Sequence, residues 1–177
     1  MSNTSIVSKS IFLVGPMGVG KTTIGRQLSQ ILDMTFVDSD REIEERTGVT
    51  IPMIFELEGE EGFRKRERTI IAELTALPNI ILSTGGGVVL NFDNRTHLRN
   101  RGFVIYLYAS VDELLNRTAH SRNRPLLRTA NPRETLEKLL DTRHPLYKEV
   151  ADVTIQTEHR TIRQVVRTVL RRLRQLG

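Results

Sequence analysis

Along this chain of 177 residues, short apolar runs at 11–14, 35–37, 80–82, 104–107 and 153–155 alternate with stretches of helical periodicity. Such runs, bounded by polar and glycine-containing segments, predict strands. Between the first two, Lys21–Leu32 puts Ile24, Leu28 and Ile31 on one face and predicts an amphipathic helix. The charged residues 58–67 open a helix expected to run to about Leu77, and 111–117 predict another. A further helix is expected to end at Arg143-His144, before Pro145. The last, Ile162–Leu176, is apolar at 162, 165, 166, 169, 170, 173 and 176 with arginines on the other face. Alternating strands and helices predict an α/β fold, a parallel sheet covered on both faces, with ligands at the carboxyl ends of the strands. Residues 119–132 lose the periodicity and predict a mobile loop.

Size and composition narrow the class. The length suits one domain spanning 1–177 with a core of its own. Hydrophobic residues are 38% of the chain, ordinary for a globular protein. No stretch approaches the ~18 apolar residues of a membrane span, and the N-terminus lacks a signal-peptide core, so no membrane partner is expected. Without cysteine there is neither a disulfide framework nor a thiolate metal site, and a cytoplasmic location is the simplest expectation. The net charge of +5 suits anionic partners, either nucleic acid or small substrates. Many of the basic residues are arginines, whose planar fork suits carboxylates and phosphates.

The chemistry follows the strands. After the first comes GPMGVGKT at 15–22, a phosphate-binding loop between a strand and a helix. Glycines at 15, 18 and 20 let successive N–H groups face phosphate oxygens. Lys21, expected to be exposed in the empty loop, reaches the β/γ-phosphates. The Thr22 hydroxyl can ligate Mg²⁺, and the helix beginning at Lys21 turns its positive end to the same anion. A nucleoside triphosphate is the expected ligand. After the second strand stand Asp38 and Asp40, on the same side of an extended chain. Beside the loop they divide naturally between the Mg²⁺ shell and an acceptor hydroxyl. The alternative is that Asp40 caps a helix over 41–46. After the third strand, Gly85-Gly86-Gly87 exceed what a turn requires and favour close approach of a ligand. Arg64 and Glu67 form either a surface pair or a substrate clamp, which the sequence does not decide. Arg124 in the loop at 119–132 is placed to stabilise a transferring phosphoryl group. Arg143 is either a dipole partner in a last turn or a second anion clamp. The basic face of the last helix reads as solvated, not as a nucleic-acid arm.

Together, IFLVGPMGVGKTTIGRQL, FVDSD, IFELEGEEGFRKRE, STGGGVV, RPLL and RHPLYKEVAD resemble the shikimate kinase family from Ile11 to Arg160. The resemblance implies a phosphate-loop fold like that of the nucleoside monophosphate kinases: a five-stranded parallel sheet with a substrate-binding segment at about 39–67 and a lid at about 119–132. It implies transfer of the γ-phosphoryl group of ATP to the 3-hydroxyl of shikimate, with Mg²⁺. By position, Gly18, Val19, Gly20, Lys21, Thr22 and Thr23 bind the phosphates, and Thr22 with Asp38 holds the metal. Asp40 contacts the acceptor hydroxyl, Arg64 and Arg143 clamp the shikimate carboxylate, and Gly86 lines the ring. Phe55 and Phe63 wall the same pocket. Arg124 is the lid arginine, and Arg117 and Arg160 contact the adenine. Lys21, Asp40 and Arg124 are the catalytic set. The partners implied are ATP and shikimate, without nucleic acid, for a monomer. The rivals are a related small-molecule kinase, such as a gluconate kinase, and a nucleotide-dependent switch or nucleic-acid-binding ATPase.

Overall fold

A computed structural model describes residues 9–118 and 129–176. Arg124 and most of the expected lid lie outside the described residues. The strands are β1 Ser10–Val14, β2 Thr35–Asp38, β3 Ile80–Ser83, β4 Gly102–Tyr108 and β5 Val153–Gln156. All pair in parallel, in the order β2-β3-β1-β4-β5. Each falls on an apolar run and extends it, by one residue in four strands and by three in β4. The helices are α1 Lys21–Leu32, α2 Ser39–Thr47, α3 Ile51–Leu74, α4 Phe92–Arg101, α5 Val111–Thr118, α6 Pro132–Val150 and α7 Ile162–Leu176.

Alternation along the strands builds two cores, because successive side chains leave a sheet on opposite faces. Phe12 and Val14 of β1 join Leu82, Val104 and Tyr106 in a cluster covered by α3, α4 and α6. Ile11 and Leu13 join Ile81, Ile105 and Leu107 beneath α1, α5 and α7. Thus the neighbours β1 and β3 are followed by helices on opposite faces, α1 after β1 and α4 after β3. That divergence opens a crevice at their carboxyl ends, where open α/β sheets bind ligands.

Three elements depart from the sequence-based expectation. First, the helix expected to open within 58–67 already runs from Ile51, and a break at Gly59, with φ 71° and ψ −179°, divides it. It stops at Leu74, short of Leu77, where Thr75 hydrogen-bonds back through both its N–H and its hydroxyl to the Ile71 carbonyl. Second, α6 does not end before Pro145 but continues to Val150. The ring removes the bond to the Asp141 carbonyl, yet both residues are on the exposed side, where water serves that oxygen. Burial of Arg143, Tyr147 and Val150 holds the opposite side in place. Third, the apolar stripe of α7 buries Val165, Val166, Val169 and Leu173, but Leu176 is exposed.

Candidate active site

The loop after β1 forms one wall of a cavity of about 580 Å³ whose lining includes Gly18, Gly20, Lys21, Thr22, Thr23, Asp38, Asp40 and Gly86. Gly18 and Gly20 have φ of 82° and 102°, a left-handed region open to glycine without strain. An added Cβ on Gly18 would also stand 2.5 Å from the Thr118 methyl. Val19 is wholly buried in the core, so its backbone alone is left to face a phosphate. Lys21 is buried rather than exposed, its amine donating to the carbonyls of Gly15 at 2.7 Å and Pro16 at 2.8 Å. The loop's own carbonyls hold the amine inside the cradle that an anion would occupy.

Asp38 and Asp40 do not share an extended strand. β2 ends at Asp38 and α2 begins at Ser39, so Asp40 lies in the first helical turn. The helix cap is Asp38, not Asp40: its Oδ1 accepts from the N–H of Asp40 at 3.0 Å and of Arg41 at 3.1 Å. Its Oδ2 accepts from the Thr22 hydroxyl at 2.9 Å. Ser83, at the end of β3 and opposite Asp38 in register, brings its hydroxyl to 3.5 Å from that of Thr22. A single carboxylate with two hydroxyls suits Mg²⁺, which keeps several waters and takes phosphate oxygens rather than a protein cage.

The glycine run is a surface against which four charged groups pack. A Cβ on Gly85 would stand 2.7 Å from Asp40 Oδ1 and 2.9 Å from Glu67 Oε2. On Gly87 it would collide with Arg64 Nη2, and on Gly86 it would lie 3.5 Å from Arg143 Nη1 and 3.4 Å from the Met17 nitrogen. Side chains at 85 and 87 would displace the groups beside them. The Ser39 hydroxyl, a residue with no distinct signal in the sequence, accepts from the Gly85 N–H at 3.1 Å and fixes the start of the run.

Glu67 rules out the surface-pair reading of Arg64. It is only 1% exposed and accepts from Arg64 Nη1 at 2.9 Å, so the pair is no surface ornament. Burial raises the Glu67 carboxyl above its ordinary range, against the lowering effect of Arg64. Arg64 Nε and Glu67 Oε2 are buried without hydrogen-bond partners and keep capacity for a ligand. Phe63 lies in the core with its ring 5.1 Å beneath the Arg64 guanidinium, and Phe55 stacks on it at 4.9 Å. The two rings thus support the arginine, and Ile51 and Pro52 line the cavity on this side.

Arg143 cannot act as a last-turn dipole partner, because α6 continues for two more turns and the residue is 4% exposed. Burial lowers its pKa from the ordinary arginine value. Arg117 joins the loop to the far side of the sheet: it pairs with Glu113 at 2.8 Å and donates to the carbonyls of Val19 at 3.2 Å and Thr157 at 3.3 Å. Arg160 is exposed in the turn after β5, its N–H bonded to the Thr157 carbonyl at 3.3 Å. The Arg117 guanidinium and the Arg160 backbone N–H therefore share the Thr157 carbonyl. Among the described residues no helix is long and apolar enough to cross a membrane.

Comparison with known proteins gives a consistent result. Residues 17–174 match the family described as shikimate kinase. Over 166 residues the chain is 61% identical to a shikimate kinase of Nitrosococcus oceani, covering 94% of this chain and 87% of that protein. The fold is similar to that of shikimate kinase from Acinetobacter baumannii in complex with shikimate, with a TM-score of 0.93 and 48% identity over 96% of this chain and 94% of that one. A gluconokinase from Sinorhizobium meliloti, covering 96% of this chain and 93% of its own, has a TM-score of 0.64 at 18% identity, a likeness of fold alone.

Proposed function

The chain belongs to the shikimate kinase family, and we propose that the residues around the cavity divide its reaction among them, each in a distinct role. The reaction transfers the γ-phosphoryl group of ATP to the 3-hydroxyl of shikimate, giving shikimate 3-phosphate and ADP. Backbone N–H groups of 18–23 hold the ATP phosphates, and the Lys21 amine leaves the Gly15 and Pro16 carbonyls for the β/γ-phosphates. Arg117 and Arg160 serve the adenine side, and Arg124 the transferring group. Asp40 orients the acceptor hydroxyl and takes its proton late, because the transition state is loose and positioning dominates. Arg64 and Arg143 take the shikimate carboxylate, each with a planar pair of donors, and the Gly86 backbone lies under the ring.

Thr22 and Asp38 would hold Mg²⁺, which supplies charge neutralisation on the phosphates. Asp38 is fixed for this by its cap bonds, so the carboxylate need not be ordered when nucleotide arrives. The protein works as a cytoplasmic monomer: a single chain contributes both substrate clamps.

One observation carries this reading. Gly86 stands between the Arg143 guanidinium and the phosphate-loop backbone, within 3.5 Å of the first and 3.4 Å of the second for an added Cβ. A carboxylate held by the arginines thus lies across one glycine from the phosphates. Release of ADP, followed by a coupled assay, should depend on shikimate and not be replaced by gluconate or AMP. Equal turnover with gluconate would transfer the site to the rival kinase.

A further inference from the structure

Behind the glycine run a buried chain of hydrogen bonds ties α6 to the loop after β3. Tyr147 is fully buried, and its hydroxyl donates to the Gly86 carbonyl. The phenol has one proton, and with that proton on Gly86 its oxygen is free to accept from the Arg143 side chain, with which it is hydrogen-bonded. Burial pushes the phenol's ionisation up to about 12, so the donated proton stays in place at neutral pH. The ring cannot swing away, because Tyr106 packs on it at a centroid distance of 4.9 Å. The Tyr106 hydroxyl takes no part in this contact and bonds His144 Nδ1 instead, at 2.7 Å.

We propose that Tyr147 is a positioning residue for shikimate: its hydroxyl sets Arg143 and the Gly86 peptide in register with each other, so that carboxylate clamp and ring platform form one rigid unit. The inference rests on Arg143 being a ligand of the shikimate carboxylate. The chemistry of the acceptor matters. Arg64 is aimed by the carboxylates of Glu67 at 2.9 Å and Glu60 at 3.3 Å, which offset part of its charge. A neutral phenol aims Arg143 without adding a negative charge beside it. Removing one carbonyl-anchored oxygen therefore leaves the guanidinium present but unaimed.

Tyr147→Phe keeps the ring and deletes only the oxygen. It should raise the KM for shikimate about tenfold, as expected for a hydrogen bond to a charged group. The kcat should stay within about twofold and the KM for ATP should not move, because substrate aim and not phosphoryl chemistry is disturbed. Tyr106→Phe removes a neighbouring buried hydroxyl and should leave the shikimate KM unchanged, which separates aiming from general loosening of the core. In an Arg143→Ala background, Tyr147→Phe should have no further effect on shikimate KM. An unchanged shikimate KM in Tyr147→Phe, an equal rise in Tyr106→Phe, or a rise that persists undiminished without Arg143 would each overturn the proposal. If Arg143→Ala itself left the shikimate KM unchanged, the assignment of Arg143 to the carboxylate would fall first.

Discussion

The Asp38 carboxylate binds the Thr22 hydroxyl at 2.9 Å with one oxygen while its other oxygen caps α2. One side chain thus links the residue after the phosphate loop's lysine, the end of β2 and the start of α2. Its two jobs are separable by substitution. Asparagine is as good an N-cap as aspartate, whereas alanine loses about 1 kcal/mol there. Asp38→Asn should therefore keep the melting temperature but need far more Mg²⁺ for half-maximal activity. Asp38→Ala should also lower the melting temperature by about 2–4 °C per kcal/mol for a chain of this size. Thermal melts and Mg²⁺ titrations of both variants check this; a normal Mg²⁺ requirement in Asp38→Asn would remove the metal role.

Lys21→Ala tests the role proposed for the lysine, charge neutralisation on the moving phosphoryl group. The loss should be about 10²–10³ in kcat, the scale for one preorganised stabiliser. The fold should persist with some loss of stability, because the amine's partners, the Gly15 and Pro16 carbonyls, are buried and lose their donor. Circular dichroism with steady-state kinetics tests both halves. A variant retaining a tenth of wild-type kcat contradicts the role.

For Asp40, an Asn substitution keeps size and hydrogen bonding and removes the base. A fall of roughly 10²–10⁴ in kcat is expected, the range for general bases, with shikimate KM changing much less. If KM alone rises, Asp40 is a binding residue only.

Gly87→Ala offers a test of Arg64 without touching it. The backbone at Gly87, φ −94°, accepts alanine, but the new Cβ would collide with Arg64 Nη2. The flexible guanidinium must move, so the shikimate KM should rise by tens-fold, the scale of a lost charged hydrogen bond, and stability should fall because the buried Glu67 carboxylate is left without its partner. Arg64→Lys should do similar damage, since a point charge does not reproduce the fork. Unchanged shikimate KM in both would detach Arg64 from the carboxylate.

Glu67 gives a pH signature. Burial raises its carboxyl in the folded protein above the ordinary value of 4.5. The folded state then holds this proton more tightly than the unfolded chain does. That contribution is fully present below the unfolded pKa and is lost as pH rises through the folded one. Glu67→Gln removes the titration, so denaturation followed from pH 4 upward should show a flatter profile for the variant than for wild type. Identical slopes would mean that Arg64 cancels the burial. The same variant should raise shikimate KM, because the 2.9 Å partner of Arg64 loses its charge and gains an NH2 donor facing the guanidinium.

Much of this protein is written locally. The helix at Lys21–Leu32 needed only its own period and the loop before it, and each strand lies on a run whose apolar character does not depend on its neighbours. The phosphate loop is likewise a local device, since consecutive backbone N–H groups make the anion site. Folding supplied the rest, through contacts between distant residues. Pro145 alone argues for a helix end, and only burial of Arg143 and Tyr147 on the far side overrides it. Two aspartates two residues apart look equivalent until the chain turns at Ser39, making one the cap and putting the other in the cavity. Glu67 reads as one charge among many in a charged segment, but in the fold it is buried against Gly85 and Arg64. Tyr147 gave no chemical signal, because its significance is its hydroxyl on the Gly86 carbonyl, 61 residues away in sequence. Spacing along a chain fixes what neighbours share; which distant polar groups are buried together, and so must satisfy one another, is decided only when the core closes.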